Sequence, residues 1–316
     1  MGTWTDPLVP PRGSAAPEPK TRVTASDPLC DAVPMPDDVT FPATDPAAPP
    51  RPALGERRHA AALRIAADAL AARAEQAGLQ AAVPTCPAWQ VADLVAHQGI
   101  VHRWAAGNLR QDVPPTPGRR DVLRTVPPAD LLDWFAAGVA ELEEALATAD
   151  PDVPAPTFLK DAPAPRAFWA RRQAHETAIH ATDALAAVLG RRPRADEVAI
   201  DPGLALDGVD ELLTGFITRG RSPVCEVAAP VRIAVVPDGV PAAGVGPLAW
   251  VLEVGPDAIV TRRTTPQAAP EDADAVLRGS AVQLYTGLWN RGDEVVEEGG
   301  RGLLPLWAQS VQVSWR

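Results

Sequence analysis

In the segment Arg166–Leu185, RAFWARRQAHETAIHATDAL, Glu176 and His180 stand four residues apart within a helical pattern. Four residues is just over one turn of an α-helix, so the carboxylate and the imidazole share a face. Such a pair is either half of a divalent-metal site or half of a buried ion pair. His175 lies about 100° around the helix from Glu176 and is off that face. The two histidines are five apart, whereas the zincin pattern needs two histidines four apart with a glutamate after the first. That pattern is excluded, and a metal reading needs a third ligand from elsewhere.

Residues 88–109 offer one. Leu94, His97, Val101 and Trp104 recur at three and four, which sets His97 in the middle of an apolar helical face. A histidine there is either a hydrogen-bonded core residue or a ligand. His102 falls off the stripe and is expected near the surface or on a neighbouring seam. Thr85 is a candidate N-cap for this helix, with Pro87 near its first turn.

The elements that must position these residues are mostly helical at first. A helix is expected over residues 55–78, with Leu63, Ala66, Leu70 and Ala74 inward and Gly78 as its stop. A third runs over 129–148 with Leu131, Phe135, Val139, Leu142 and Leu146 as its core face, and a fourth holds HETAIH and ends at Gly190. Proline-rich connections, 111–128 and 150–165, separate the later helices. Four helices of this length form a bundle, and bundles build metal sites from inward side chains on different helices. His97 from the second helix and Glu176 and His180 from the fourth make one such set.

Beyond Gly190 the texture changes. An amphipathic helix is expected over 204–218, then strand-like runs at 231–236, 249–254, 258–262 and 275–277, a helix over 279–289 and a closing strand over 311–315. This reads as a small α+β domain with an open sheet. The division is therefore a proline-rich arm over 1–53, a four-helix domain over 54–190 and an α+β domain over 191–316. About a quarter of the arm is proline and it carries no sustained periodicity, so it is expected to be largely disordered.

The net charge of −11 argues against nucleic acid or an anionic membrane as the main partner. Cys30, Cys86 and Cys225 are odd in number and widely spaced, so neither a disulfide framework nor a zinc ribbon is indicated, and a reduced cytoplasmic setting is expected. No run approaches a membrane span and no secretory signal is visible. Isolated glycines such as Gly255 and Gly279 make no phosphate loop.

Two stretches, VPTCPAWQVADLVAHQGIVHRWA (83–105) and FWARRQAHETAIHATDAL (168–185), resemble the mycothiol-dependent maleylpyruvate isomerase family. LRGSAVQLYTGLWNRGD (277–293) is similar to the end of that family's second domain. The resemblance implies a DinB-like four-helix bundle followed by a sterol-carrier-like α+β domain. It implies zinc, or another divalent metal, on His97, Glu176 and His180, and mycothiol as thiol cofactor. It further implies that Arg291, with Arg278 as the weaker match, holds a substrate carboxylate. The activity implied is isomerisation of a maleylpyruvate-like unsaturated keto-acid or thiol S-transfer, through a metal-activated thiolate. A non-catalytic metal- or small-molecule-binding module of the same fold is the alternative. Cys86 matches the family's TCPxW turn and reads as structural.

Overall fold

A computed structural model of the 316-residue chain describes residues 51–52, 54–113, 115–219, 230–239, 245–256, 258–270, 272–299 and 302–311. All of the proline-rich arm but residues 51 and 52, with Cys30, Cys225 and all but the first residue of the expected strand over 311–315, lies outside them.

Among the described residues, four long helices form the first half: α1 (Glu56–Ala77), α2 (Val91–Arg110), α4 (Leu131–Thr148) and α5 (Pro165–Leu189). Their apolar periodicity converges as expected: α1 packs on α5, α2 on both α4 and α5. Leu70, Leu94, Phe135, Val139 and Ala178 fill one core cluster, and Leu63, Leu142, Phe168 and Trp169 fill a second. The connection before α4 is not bare, because a short helix, α3 (Arg119–Thr125), buries Val122 against the bundle. The N-cap of α2 is Gln90 and not Thr85; the Gln90 amide donates to Asp93 in the first turn at 3.0 Å. Thr85 instead donates its hydroxyl to Asp183 at 2.5 Å.

The second half begins with α6 (Pro202–Asp210), capped by Asp201, whose side chain accepts from the Leu204 amide. The helix expected to continue to 218 widens into a π-helical turn over Glu211–Phe216, where the Ile217 amide reaches back five residues to the Leu212 carbonyl. Among the described residues five strands follow: β1 (Val231–Pro237), β2 (Ala249–Val254), β3 (Ile259–Thr264), β4 (Ala275–Gly279) and β5 (Val296–Glu298). They order as β3-β2-β1-β4-β5, with β1 and β4 parallel and the other pairs antiparallel. Alternation along β1 sends Ile233 and Val235 to the main core and Ala234 and Val236 to a small cluster on the other face. Helices α6 and α7 (Ala281–Leu288) cover the main face, and α8 (Leu303–Ser310) adds Trp307 to it.

This is a helical bundle joined to an open mixed sheet with helices on its face. No helix of the described residues is long and apolar enough to cross a membrane. The halves share a core as well as a boundary, since Ile179 of α5 belongs to the cluster built by α6, α7 and the sheet.

Candidate metal centre

His97 on α2 and Glu176 and His180 on α5 converge in the bundle. Glu176 Oε1 lies 3.6 Å from His97 Nε2 and 3.4 Å from His180 Nε2. These distances are too long for good hydrogen bonds. They match the separation of about 3.4 Å between neighbouring ligand atoms around a tetrahedral zinc with bonds near 2.0–2.2 Å. His97 Nε2 is buried with no hydrogen-bond partner, which a protein interior rarely tolerates. His180 Nδ1 is bonded to Asp183 Oδ2 at 2.9 Å, so its Nε2 is turned towards Glu176. A carboxylate behind a histidine is the usual arrangement for fixing a ligand's tautomer and orientation. The donor set and its spacing fit a divalent cation.

The charge states of Glu176 and His97 suit one, whereas His180 must first lose a proton. Burial alone would raise the Glu176 carboxyl, but the Arg172 guanidinium and His180 outweigh it and hold the group well below the usual carboxylate range. Burial pushes the His97 imidazole down, leaving it neutral and able to coordinate. His180 is pushed up to about 8, because Asp183 and Glu176 overcome its burial. Trp89 closes one side, its ring 5.0 Å from His97 and stacked 6.0 Å from His180. The Arg119 guanidinium lies over that ring at 4.6 Å.

Arg291 reaches this neighbourhood from the second half. Its Nε and Nη2 donate to the two oxygens of Asp183 at 2.9 and 3.0 Å, and its Nη1 donates to the Trp289 carbonyl at 2.9 Å. It is thus one carboxylate removed from His180. Arg278 is elsewhere, paired with Glu298 on the β5 edge at 3.0 Å. Cys86 lies 3.6 Å from both Asp183 and Arg291, and burial followed by the Asp183 charge pushes its thiol up to about 12. A group so reluctant to ionise is no nucleophile at neutral pH, in keeping with a structural role.

His102 is not near the surface. It is fully buried, with Gln98 at 2.8 Å and Thr177 at 2.9 Å from its Nε2. Helix α2 is enclosed on most sides, so leaving one stripe does not bring a residue to water.

His175 belongs to a different buried cluster. With His59 of α1 it donates to Asp207 Oδ2, at 2.8 and 3.0 Å respectively, and Arg171 Nε donates to the same oxygen at 3.0 Å. These are hydrogen-bond lengths, and a guanidinium already neutralises the carboxylate. The cluster ties the halves together, and its three ligand atoms also lie close enough to hold a cation. Asp183, Arg172 and Trp89 are the neighbours that periodicity alone did not single out. Two of them had a sequence signal, because Asp183 follows His180 by three and Arg172 precedes Glu176 by four, both same-face helical spacings.

Residues 60–185 match the family described as mycothiol maleylpyruvate isomerase N-terminal domain. The match covers most of the bundle, from α1 to α5. A crystal structure of the mycothiol-dependent maleylpyruvate isomerase aligns with 78% of this chain and 95% of its own, with a TM-score of 0.51 and 14% identity. A histidine-to-alanine mutant of that enzyme aligns with the same coverage and identity at a TM-score of 0.50. At this identity the likeness is one of fold, and it extends through both halves of the chain. No curated protein matches the chain.

Proposed function

We propose that the protein is a metal-dependent, mycothiol-using enzyme that isomerises an unsaturated keto-acid related to maleylpyruvate or transfers the thiol to such an acceptor. The observation that carries this is the buried, partnerless Nε2 of His97 facing Glu176 and His180, in a bundle that matches this family. His97, Glu176 and His180 would hold zinc or another divalent cation and leave a fourth position to an outside ligand. The bound cation supplies acidity that deprotonates a coordinated thiol at neutral pH. The chain's own part is positional. Glu176 would bring one negative charge, His97 a neutral nitrogen and His180 a nitrogen that gives up its proton on coordination, while Asp183 fixes the His180 ring. Trp89 walls the site. Arg291 is the residue proposed to hold the substrate's carboxylate, and to do so it must exchange at least one bond to Asp183 or to the Trp289 carbonyl.

That commitment of Arg291 favours a second reading, a non-catalytic metal- or small-molecule-binding module, in which the Arg291–Asp183 pair never opens. Metal analysis of protein purified without chelator, alongside His180→Ala, tests the metal, which the enzyme and the metal-binding form of the module both require in the wild type and lose in the variant. Mass spectrometry with mycothiol and cis-unsaturated keto-acids then separates them. Isomer or thiol adduct supports the enzyme, and metal without turnover supports the module. We further propose a division into arm, bundle and α+β domain near residues 53 and 190, testable by limited proteolysis.

A further inference from the structure

The carboxylate expected to bind the metal is also tied to the second half of the chain. Glu176 Oε2, the oxygen not facing the two histidines, accepts from Arg172 Nη2 at 2.6 Å. Arg172 is fully buried, and its Nη1 pairs with Glu211 Oε2. Glu211 is itself 1% exposed and opens the π-helical turn that follows α6. The turn places Glu211 and Phe216 on the same guanidinium, with the Phe216 ring at 5.0 Å and the Trp289 ring of the second half at 5.4 Å. π-Turns recur where a helix must present particular side chains at functional sites. Arg172 is therefore caged by two rings and two carboxylates.

We propose that Glu211 is a positioning residue for the metal centre, acting through Arg172 on Glu176. The inference rests on the metal-binding part of the function proposed above. A guanidinium bonded to a ligand carboxylate competes with a divalent cation for its charge. Glu176 and Arg172 alone sum to zero; with Glu211 the triad carries one net negative charge, as a site for a divalent cation requires. Glu211 also holds Arg172 at one end, so the other end fixes the rotamer of Glu176 and leaves Oε1 directed at His97 and His180. In a poorly screened interior both effects are large. The arrangement makes the second half part of the metal site without giving it a ligand. Among ligand-supporting groups, loss of such a contact typically weakens metal affinity about 10–100-fold.

The test is zinc affinity of the full chain, measured by competition with a chromogenic chelator, for wild type, Glu211→Gln, Arg172→Gln and the double variant. Glu211→Gln is expected to raise the Kd for zinc about 10–100-fold. In the Arg172→Gln background the same change is expected to have less than about a threefold effect, because no guanidinium is left to neutralise. A Glu211→Gln protein with wild-type affinity overturns the proposal. So does an equal loss with and without Arg172, which would mark Glu211 as merely structural. If Glu211→Gln does not fold, Glu211→Asp keeps the charge but shortens the arm; a Kd raised at least about threefold supports the relay, and an unchanged one overturns it. A wild type that binds no zinc, or one whose zinc affinity is unchanged in His180→Ala, refutes the metal reading itself, a result distinct from failure of the relay alone.

Discussion

At the scale of single residues, Asp183 joins the candidate metal ligands to Arg291, the residue proposed to hold a substrate. It accepts from His180 Nδ1 and from both arms of Arg291, and these partners overcome its burial to keep it ionised. Asp183→Asn keeps the shape and removes the charge. It is expected to weaken zinc binding about 10–100-fold at pH 8.5–9, by loosening the ring and lowering its basicity. The pH dependence gives a second readout. His180 is pushed up to about 8, so in the wild type a proton must leave before this nitrogen can coordinate, and affinity falls as pH drops through about 8. Without the Asp183 charge the proton is held less tightly, so the variant's deficit is expected to narrow towards pH 6.5. Calorimetric titrations at three pH values check this; a deficit constant with pH would contradict it. The convergence of His97, Glu176 and His180 was legible in the sequence because inward residues on two helices obey a period. The bond from Asp183 to Arg291 was not, since it spans 108 residues and no local pattern encodes it.

At the scale of elements, α2 is the helix on which the site depends, and it is packed closely on several sides. At Gly99 it meets α4, where an added Cβ would collide with the Trp134 ring. Gly99→Ala is expected to destabilise the fold by about 1–3 kcal/mol through overpacking, despite the better helix propensity of alanine. Urea unfolding measures it, and a stabilised variant would show that Trp134 swings aside. One turn on, His102 is buried with Gln98 and Thr177 and its imidazole is pushed down to about 3 by burial. The unfolded chain takes up a proton near pH 6.5, whereas the folded chain does so only near 3. The neutral form therefore contributes stability fully above about 6.5, and this is lost as pH falls towards 3. By pH 4.5 this group alone should cost the fold about 2–3 kcal/mol. His102→Gln is expected to lose less stability between pH 7 and 4.5 than wild type by about that amount, measured on metal-free protein. The apolar period located all four long helices, but α3 and the π-turn escaped it. The first is too short to show a period. The second interrupts an apolar run whose residues would suit an unbroken α-helix equally well.

At the scale of the whole molecule, the two halves are held by buried charge as well as by apolar packing. Arg171 of α5 donates to Asp207 Oδ2 and its carbonyl and to Asp210 Oδ2, at 3.0, 2.7 and 3.1 Å. Arg263 of β3 closes the other side of Asp210 at 2.6 Å and reaches Asp161, in the loop before α5, at 2.6 Å. Trp250 donates its indole N–H to Asp210 at 3.0 Å. Burial opposes the charge on Arg171, and the two aspartates more than compensate it. A sealed network of this kind adds little net stability over an apolar contact, but removing one member strands the others. Arg171→Met is therefore expected to cost about 3–5 kcal/mol, because Asp207 and Asp210 would keep their burial and lose their shared cation. The same change separates two ideas of how the chain is built. If bundle and sheet are independent modules, calorimetry should show the sheet's melting shifted and the bundle's left nearly in place. The shared core at Ile179, the Arg171 joint and the Arg172–Glu211 pair argue otherwise. Wild type and variant are each expected to melt in one transition, with the variant's lower throughout. Two separated transitions in the wild type would contradict this, and would also leave the proposed metal centre without the rigid support assigned to Glu211 and Arg291.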